Sequence, residues 1–552
     1  MPPFSRRDLL KAAAAASLVP LIPACSDGSD PDAESPAARF EHGVASGDPL
    51  SDALILWTRV MPLDAGAESV PVRLRIARDA ALSEAVGAGL VSADADSDYT
   101  VKVDVRNLQP GTVYYYQFSV GENRSPVGRS RTAPVGGIDR LRFAFVTCGD
   151  YARGLFNAYR RVAERNDLQA VVHLGDYIYE NDLQDDVRPQ IPDRETVTLA
   201  DYRLRYAALR SDADLQELHR QHPMIWIWDD HELANNSWRG GAGAHDPETQ
   251  GDFFERRAQA FRAAHEWMPI RTPNAADLAQ IYRRFAFGDL VDLLMIDARQ
   301  VGRDEPVPPN TLFGDSVPVH MQNGAFTDDA RQILGADQEQ WLMGCLDQSA
   351  ARWKLIGNQV YFSPLKLIGA PRATGLSLFL SNDKWDGYEP ARDRVLAAIE
   401  RTNNVVILTG DAHEAYAFDV SADPNNALAY NPLTGEGSKA VEFVVTSAST
   451  RGDGVVGDSL TAQLQRLPDN VEQLLRLTNP HLKYYNNTLN GYTLLDIDAE
   501  RVQAEFWFVP RVSELSDEES LGAIFVSDDG SNRLRSGGAV SAADPAAPPP
   551  AP

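Results

Sequence analysis

Ionisable side chains crowd the ends of apolar segments throughout this 552-residue sequence. After LRFAFVT come Cys148 and Asp150; after AVVHL, Asp176 and Tyr179; after MIWIW, Asp229, Asp230, His231 and Glu232. LVDLLMI is followed by Asp297 and Arg299, KLIG by Asn358, and NVVILTG by Asp411, His413 and Glu414. A single Asp after a strand is ordinarily a turn or helix cap, and a single buried Cys a small core residue. His173, inside its apolar run, fits a packed core histidine. Four Asp-bearing ends that together carry thiol, phenol, imidazole and carboxylate need another reason, and all four groups bind metals once deprotonated. Thiolate and phenolate suit a strong Lewis acid such as Fe(3+); the carboxylates suit harder ions such as Ca(2+), Mg(2+) or Mn(2+). Asp176 sits where one carboxylate would bridge two ions. Two adjacent ions clamp the attacking and leaving oxygens of an in-line displacement and make hydroxide available near neutral pH. Hydrolysis of a phosphoric ester is the expected chemistry.

The elements that must position these groups are legible in the patterning. The apolar runs are short, and longer segments of helical spacing separate most of them, such as Leu155 to Asn166 and DRVLAAIERTN. Alternating helix and strand predicts an α/β catalytic domain over 137–515, a layered β-sandwich flanked by helices, with its crevice at strand C-termini. Residues 40–136 read differently. ALILWTRV, VRLRIARD, YTVKVDVRNL and TVYYYQFSV alternate apolar with polar residues between Gly, Pro and Asp turns, which predicts an all-β immunoglobulin- or fibronectin-like sandwich. YTLLDIDAERVQAEFWFV, 492–509, reads as an antiparallel hairpin, and 516–552, which drifts into Gly, Ala and Pro from residue 530, as a partly disordered tail.

Residues 1–25 carry Arg6–Arg7, a weakly apolar stretch and Cys25, the pattern of a twin-arginine export signal, with Cys25 a candidate lipidation site. Residues 26–39 are a polar linker. The expected destination is periplasmic, cell-surface or secreted, reached through the twin-arginine export machinery, with a lipid on Cys25 as the one membrane attachment. Cys148 and Cys345 leave room for one disulfide. A formal net charge of −26 argues against non-specific nucleic-acid binding, and it obliges an anionic substrate to meet locally placed cations.

FEHGVASGDPLSDALILWTRV, TCGDY, HLGDYIYE, WDDHELANN, MIDARQ, GNQV, NDKWDGYEPARDRVL, GDAHEA and NPHLKYYN follow in the order seen in PhoD-like alkaline phosphatases/phosphodiesterases. The resemblance runs from about residue 40 to 510, and that family is a branch of the calcineurin-like metallophosphoesterases. It implies Fe(3+) and Ca(2+), with Cys148, Asp176, Tyr179 and His413 around the iron. Asp176 would bridge to calcium, held further by Asp230 and Asp411, and His231 would lie by the leaving group as general acid or transition-state stabiliser. Asp230 and Asp411 stand where the wider superfamily has neutral donors, which favours calcium there. Asp150 and Asp229 could instead orient the metal ligands. Arg299 stays open between a structural ion pair and a phosphate contact. Asn358, Trp385, Asp386 and His481 fall in matching motifs without a derivable role, and Tyr177 and Glu180 read as ordinary packing and turn residues. The implied substrates are small phosphate mono- or diesters; a phospholipase D-like or teichoic-acid-type diesterase is the alternative within that chemistry. A calcium-binding surface adhesin with an inactive metal site is a reading of another class, and it leaves the full set of ligand types unexplained.

Overall fold

The computed structural model describes residues 38–552 apart from 65, 183–186, 273, 275, 309, 313–316 and 451–467. The expected export signal, Cys25 and nearly all of the expected linker lie outside the described residues. Among the described residues no helix is long and apolar enough to cross a membrane.

Two large mixed sheets face one another. One has ten strands; its centre sets Arg140–Val146, Ala170–His173 and Pro223–Trp226 side by side in parallel. The other has seven, with Val291–Met295, Trp353–Asn358, Val405–Thr409 and Ala440–Val444 in parallel. The period of two decides what each strand buries. Leu293, Leu355, Val406 and Leu408 point between the sheets, where Phe143, Phe145 and Val171 meet them in one core. Leu294, Ile356, Val405 and Ile407 point the other way, against Leu342 and Leu346 of helix Ala336–Gln348 and Val395 and Ile399 of helix Glu389–Glu400. Strands buried on both faces lack polar alternation, which is why these segments read as continuous apolar runs.

The outer face of the ten-stranded sheet is covered by helices with strong start signals. Thr198 and Asp201 form a reciprocal capping box at the head of Leu199–Arg210, and Asp212 accepts from Asp214 N and Leu215 N to start Ala213–Gln221. Helix Phe253–Trp267 completes the layer, with Phe261 stacked on Trp228.

The N-terminal sandwich shares a sheet with the rest of the chain. Val44–Gly47 pairs in parallel with Pro223–Trp226 (Ser46 opposite Pro223, Gly47 opposite Met224), and Ala53–Arg59 and Thr100–Arg106 extend the ten-stranded sheet outward. A separate five-stranded sheet packs on these strands through Val72, Leu74, Ile76, Tyr116 and Phe118 against Leu54, Leu56, Val103 and Val105.

Asn490–Asp498 and Arg501–Val509 form the antiparallel hairpin. The tail departs from the expected disorder. Ser520–Asp528 adds another strand to that hairpin, and the last residues strap back onto the sandwich. Tyr115 Oη donates to Pro549 O at 2.6 Å, and Ala551 N to Gln221 Oε1 at 2.9 Å. Composition missed this because the strap is held by its backbone, whose partners come from distant segments. The one disulfide for which the sequence leaves room does not form: Cys148 and Cys345 are both free thiols, one at a strand tip and the other on helix Ala336–Gln348.

Candidate metal centre

The two parallel arrays bring their carboxyl ends together. Gly175 and Gly410 let them meet: a Cβ on Gly175 would lie 2.6 Å from Asp229 Cβ, and one on Gly410 2.5 Å from Thr147 Oγ1. Among the described residues three sets of donors follow, in each of which the ligand atoms lie within 4.8 Å of one another: Cys148, Asp176 and His413; Asp176, Asp230 and His231; Asp229, Asp230 and Asp411. Asp176 belongs to the first two sets and Asp230 to the last two. Tyr179 joins the first, its Oη 3.0 Å from His413 Nε2 and 3.3 Å from Asp176 Oδ2, and Cys148 Sγ lies 3.4 Å from the same carboxylate oxygen.

The backbone is strained where the donors sit. Cys148, Asp176, Asp411 and His413 all adopt left-handed φ between 54° and 59°. Non-glycine residues rarely do so, and such strain concentrates at functional sites. Buried acids brace the turns. Glu232 accepts from Asp176 N at 3.2 Å, Tyr177 N at 2.6 Å and Asp229 N at 2.8 Å, tying two strand ends together. Arg205, buried on helix Leu199–Arg210, donates to Tyr179 O and to Asn181 O, fixing the loop behind the phenol.

The electrostatics call for a cation. Burial, then Asp229, pushes the Asp176 carboxyl far above its ordinary range. Burial and Asp176 do the same to the Cys148 thiol and the Tyr179 phenol, while burial drives His413 down to about 3. Asp176 Oδ1, Asp229 Oδ2 and Asp230 Oδ1 are buried with no hydrogen-bond partner. Unpartnered buried acceptors are costly, and a multivalent ion at these atoms reverses the penalty by favouring every deprotonated form. The donor chemistry fits metal.

Arg299 and Lys384 supply the protein's own positive charge. Arg299 is fully buried and contacts Asp229 and Asp411, with Asp383 at 2.8 Å and Asp230 at 3.6 Å. Lys384 pairs with Asp411. Burial alone would raise Asp230, yet Arg299 and His231 together hold its carboxyl below the usual range. His231 has the opposite balance: burial disfavours its charge, but Glu180, Asp230 and Asp176 outweigh it and keep the imidazole protonated well above 6.5. The His231–Glu180 contact is 2.6 Å, and Glu180 also accepts from Asn235 N at 2.6 Å.

The other singled-out residues fall outside the three sets. Asp150 caps its turn through Ala152 N at 3.0 Å and lies 3.6 Å from Arg153. Asn358 donates to Val360 O and Thr409 Oγ1. His481 contacts Pro364 O at 3.0 Å and packs on Phe418. His173 is a core residue, 3.0 Å from Tyr159 Oη, and Tyr177 pairs with His219. Glu180, read as ordinary, is instead the partner of His231. The contribution of Lys384 and Asp383 was also missed; both precede Trp385 in an irregular segment that no strand-end rule reaches.

The family described as PhoD-like phosphatase matches residues 143–506, and the PhoD-like phosphatase N-terminal domain matches residues 25–134. Alkaline phosphatase D of Bacillus subtilis (strain 168) is 34% identical over 504 residues, covering 88% of this chain and 80% of that protein. A solved structure of PhoD is similar with a TM-score of 0.77 and 31% identity, over 93% of this chain and 94% of that one. On these matches the chain belongs to the PhoD-like phosphatase family.

Proposed function

We propose that this metal-dependent phosphoester hydrolase uses an Fe(3+)–Ca(2+) pair to cleave small phosphate mono- or diesters. Cys148, Asp176, Tyr179 and His413 would hold the iron, Asp176, Asp230 and Asp411 the calcium. The observation that carries the reading is the sharing of Asp176 between two donor sets while its Oδ1 has no partner. When bound, the ions supply a nucleophilic hydroxide and neutralise charge on the phosphoryl oxygens. The chain's residues do the rest. Asp176 keeps the two positions adjacent, and Arg299 and Lys384 offset the surplus acid. His231, held protonated by Glu180, faces the leaving group and gives it a proton. Export through a twin-arginine signal belongs to the same proposal: Arg6–Arg7 and the stretch to Cys25 support it, and folding around metal before translocation accords with it.

Metal analysis with a visible spectrum tests the assignment. The purified holoenzyme is expected to carry about one iron per chain and a tyrosinate-to-Fe(3+) absorption band. Tyr179→Phe should lose the band; retention of both band and iron would refute the ligand set. EDTA should abolish hydrolysis, and added calcium should restore it if iron stays bound.

His231→Ala should lower kcat by about 10²–10³-fold on a poor leaving group, in the range for loss of a general acid. The loss should shrink on an activated ester such as a nitrophenyl phosphate, whose leaving group needs no proton. Glu180→Gln should show a smaller loss with the same dependence on leaving group. Equal losses on both esters would remove His231 from the proton-transfer role.

A further inference from the structure

Behind the 3₁₀ turn Trp385–Tyr388 lies a cavity of about 240 Å³ that the ester chemistry does not use. Its wall carries three acids, Asp386, Glu389 and Asp423, and three bases, Lys366, Arg372 and Arg392. One pair is closed on itself: Arg372 meets Glu389 at 2.6 Å and also holds Asp393. The remaining bases meet no carboxylate in ion-pair contact among the described residues. Lys366 Nζ donates to Asn425 Oδ1 at 2.8 Å and Ala370 O at 3.4 Å, and Arg392 donates to Phe362 O at 2.7 Å and Ser421 O at 2.9 Å. Lys366 is 3% exposed and Arg392 4%, so water screens neither charge well.

The acids are short of donors in turn. Asp386, 1% exposed, accepts from Leu365 N at 2.9 Å through Oδ2, and its Oδ1 has no partner. Asp423 accepts from Arg372 N through Oδ2, and its Oδ1 is likewise buried and unpartnered. Two cations held only by neutral acceptors, with Asp386 near both but in ion-pair contact with neither, and two unpartnered carboxylate oxygens in one chamber are complementary to a ligand that bears both charges. An inorganic anion would leave the carboxylate oxygens without donors, and a simple cation would face Lys366 and Arg392. We propose that the cavity binds a small zwitterion, with its oxyanion on Lys366 and Arg392 and its ammonium on Asp386 and Asp423. Phe379, in the wall and 5.3 Å from Lys366 Nζ, offers an apolar surface to the linking methylenes. The chamber is smaller than the roughly 300–1,000 Å³ of typical drug-sized sites, which limits the ligand to a few atoms between its charges. Lys384, two residues before Asp386, grips Asp411, so one turn contacts both the cavity and the metal centre.

Calorimetric titration of the holoenzyme with 2-aminoethylphosphonate tests this, since its carbon–phosphorus bond offers no ester to hydrolyse. Ethylphosphonate and ethylammonium, which carry only the anionic or only the cationic group, should bind at least about 10-fold more weakly, the value of one charge-assisted hydrogen bond. Lys366→Met, Asp386→Asn and Asp423→Asn should each weaken the zwitterion by a similar factor, with hydrolysis followed separately. Asp176→Asn, at the metal centre, should leave its binding intact. The proposal fails if Asp176→Asn alone abolishes binding, if the analogues that carry only one of the two groups bind equally well, or if folded Lys366→Met and Asp423→Asn proteins bind like the parent. Should Asp386→Asn fail to fold, the other two variants decide.

Discussion

Asp176→Asn should abolish hydrolysis and release both metals together. The change is isosteric and removes one negative charge, so the packing around the strand tip Ala170–His173 stays intact. Asp176 is the one side chain common to the set with Cys148 and His413 and the set with Asp230 and His231. An amide offers one oxygen where the carboxylate offers two, and it cannot serve two cations. Losing the bridge forfeits several kcal/mol of charge stabilisation, about 10³–10⁴-fold in kcat. Without metal, the variant should be at least as stable as the parent. The parent's apo form must bury a carboxyl that burial and Asp229 drive far above its usual range, and an amide escapes that penalty. This inverse pattern, a dead enzyme with an apo form that melts no lower, separates a bridging ligand from a structural aspartate. A variant that kept one metal at full stoichiometry would refute the bridge. One that lost stability in the apo state would show Asp176 to be a structural residue.

The candidate donors that the fold gathers were legible because their chemistry is conspicuous where it stands. Thiol, phenol and imidazole after apolar runs at 146, 174 and 409 have no ordinary turn-forming use, so repetition exposed them. The braces were not legible. Glu232 takes three backbone N–H groups and Glu180 takes His231, but nothing in the sequence marks either glutamate as the partner of those groups. Membership of a motif also proved weaker than position at a strand end. His481 and Asn358 lie in matching motifs yet hydrogen-bond to Pro364 and Val360. The shared sheet was hidden for a different reason. Val44–Gly47 alternates no better as a sandwich strand than as a neighbour of Pro223–Trp226, and only the long-range register of Ser46 with Pro223 decides between them. The C-terminal strap was misread because its composition predicts how it would behave alone, not which carbonyls distant side chains would hold.

Arg299→Met should destabilise the metal-free protein by about 3–5 kcal/mol, the usual result of removing one partner from a buried ionic network. The guanidinium has no exposed surface and meets Asp229 through Nε, Asp383 through Nη1 and Asp411 through Nη2. Methionine fills the volume and leaves those acids to Lys384 and Arg303, which contact Asp411 and Asp383 and, among the described residues, make no ion-pair contact with Asp229. Asp229 is already raised to about 6 by burial, with Arg299 the main opposing influence, so the substitution should carry it further toward the neutral acid. Arg299→Lys should recover only part of the loss, because one ammonium cannot span three carboxylates that a planar fork reaches together. Calcium then discriminates between two roles for the arginine. If it serves as counter-charge to a cation site, the variant's melting temperature should rise more steeply with calcium than the parent's, since the ion takes over the uncompensated acids. If instead its role is to contact the phosphoryl group, stability should change little and KM should rise without a change in calcium response. Asp229, Asp383 and Asp411 already occupy its three nitrogens, which is why the stability effect is the one expected.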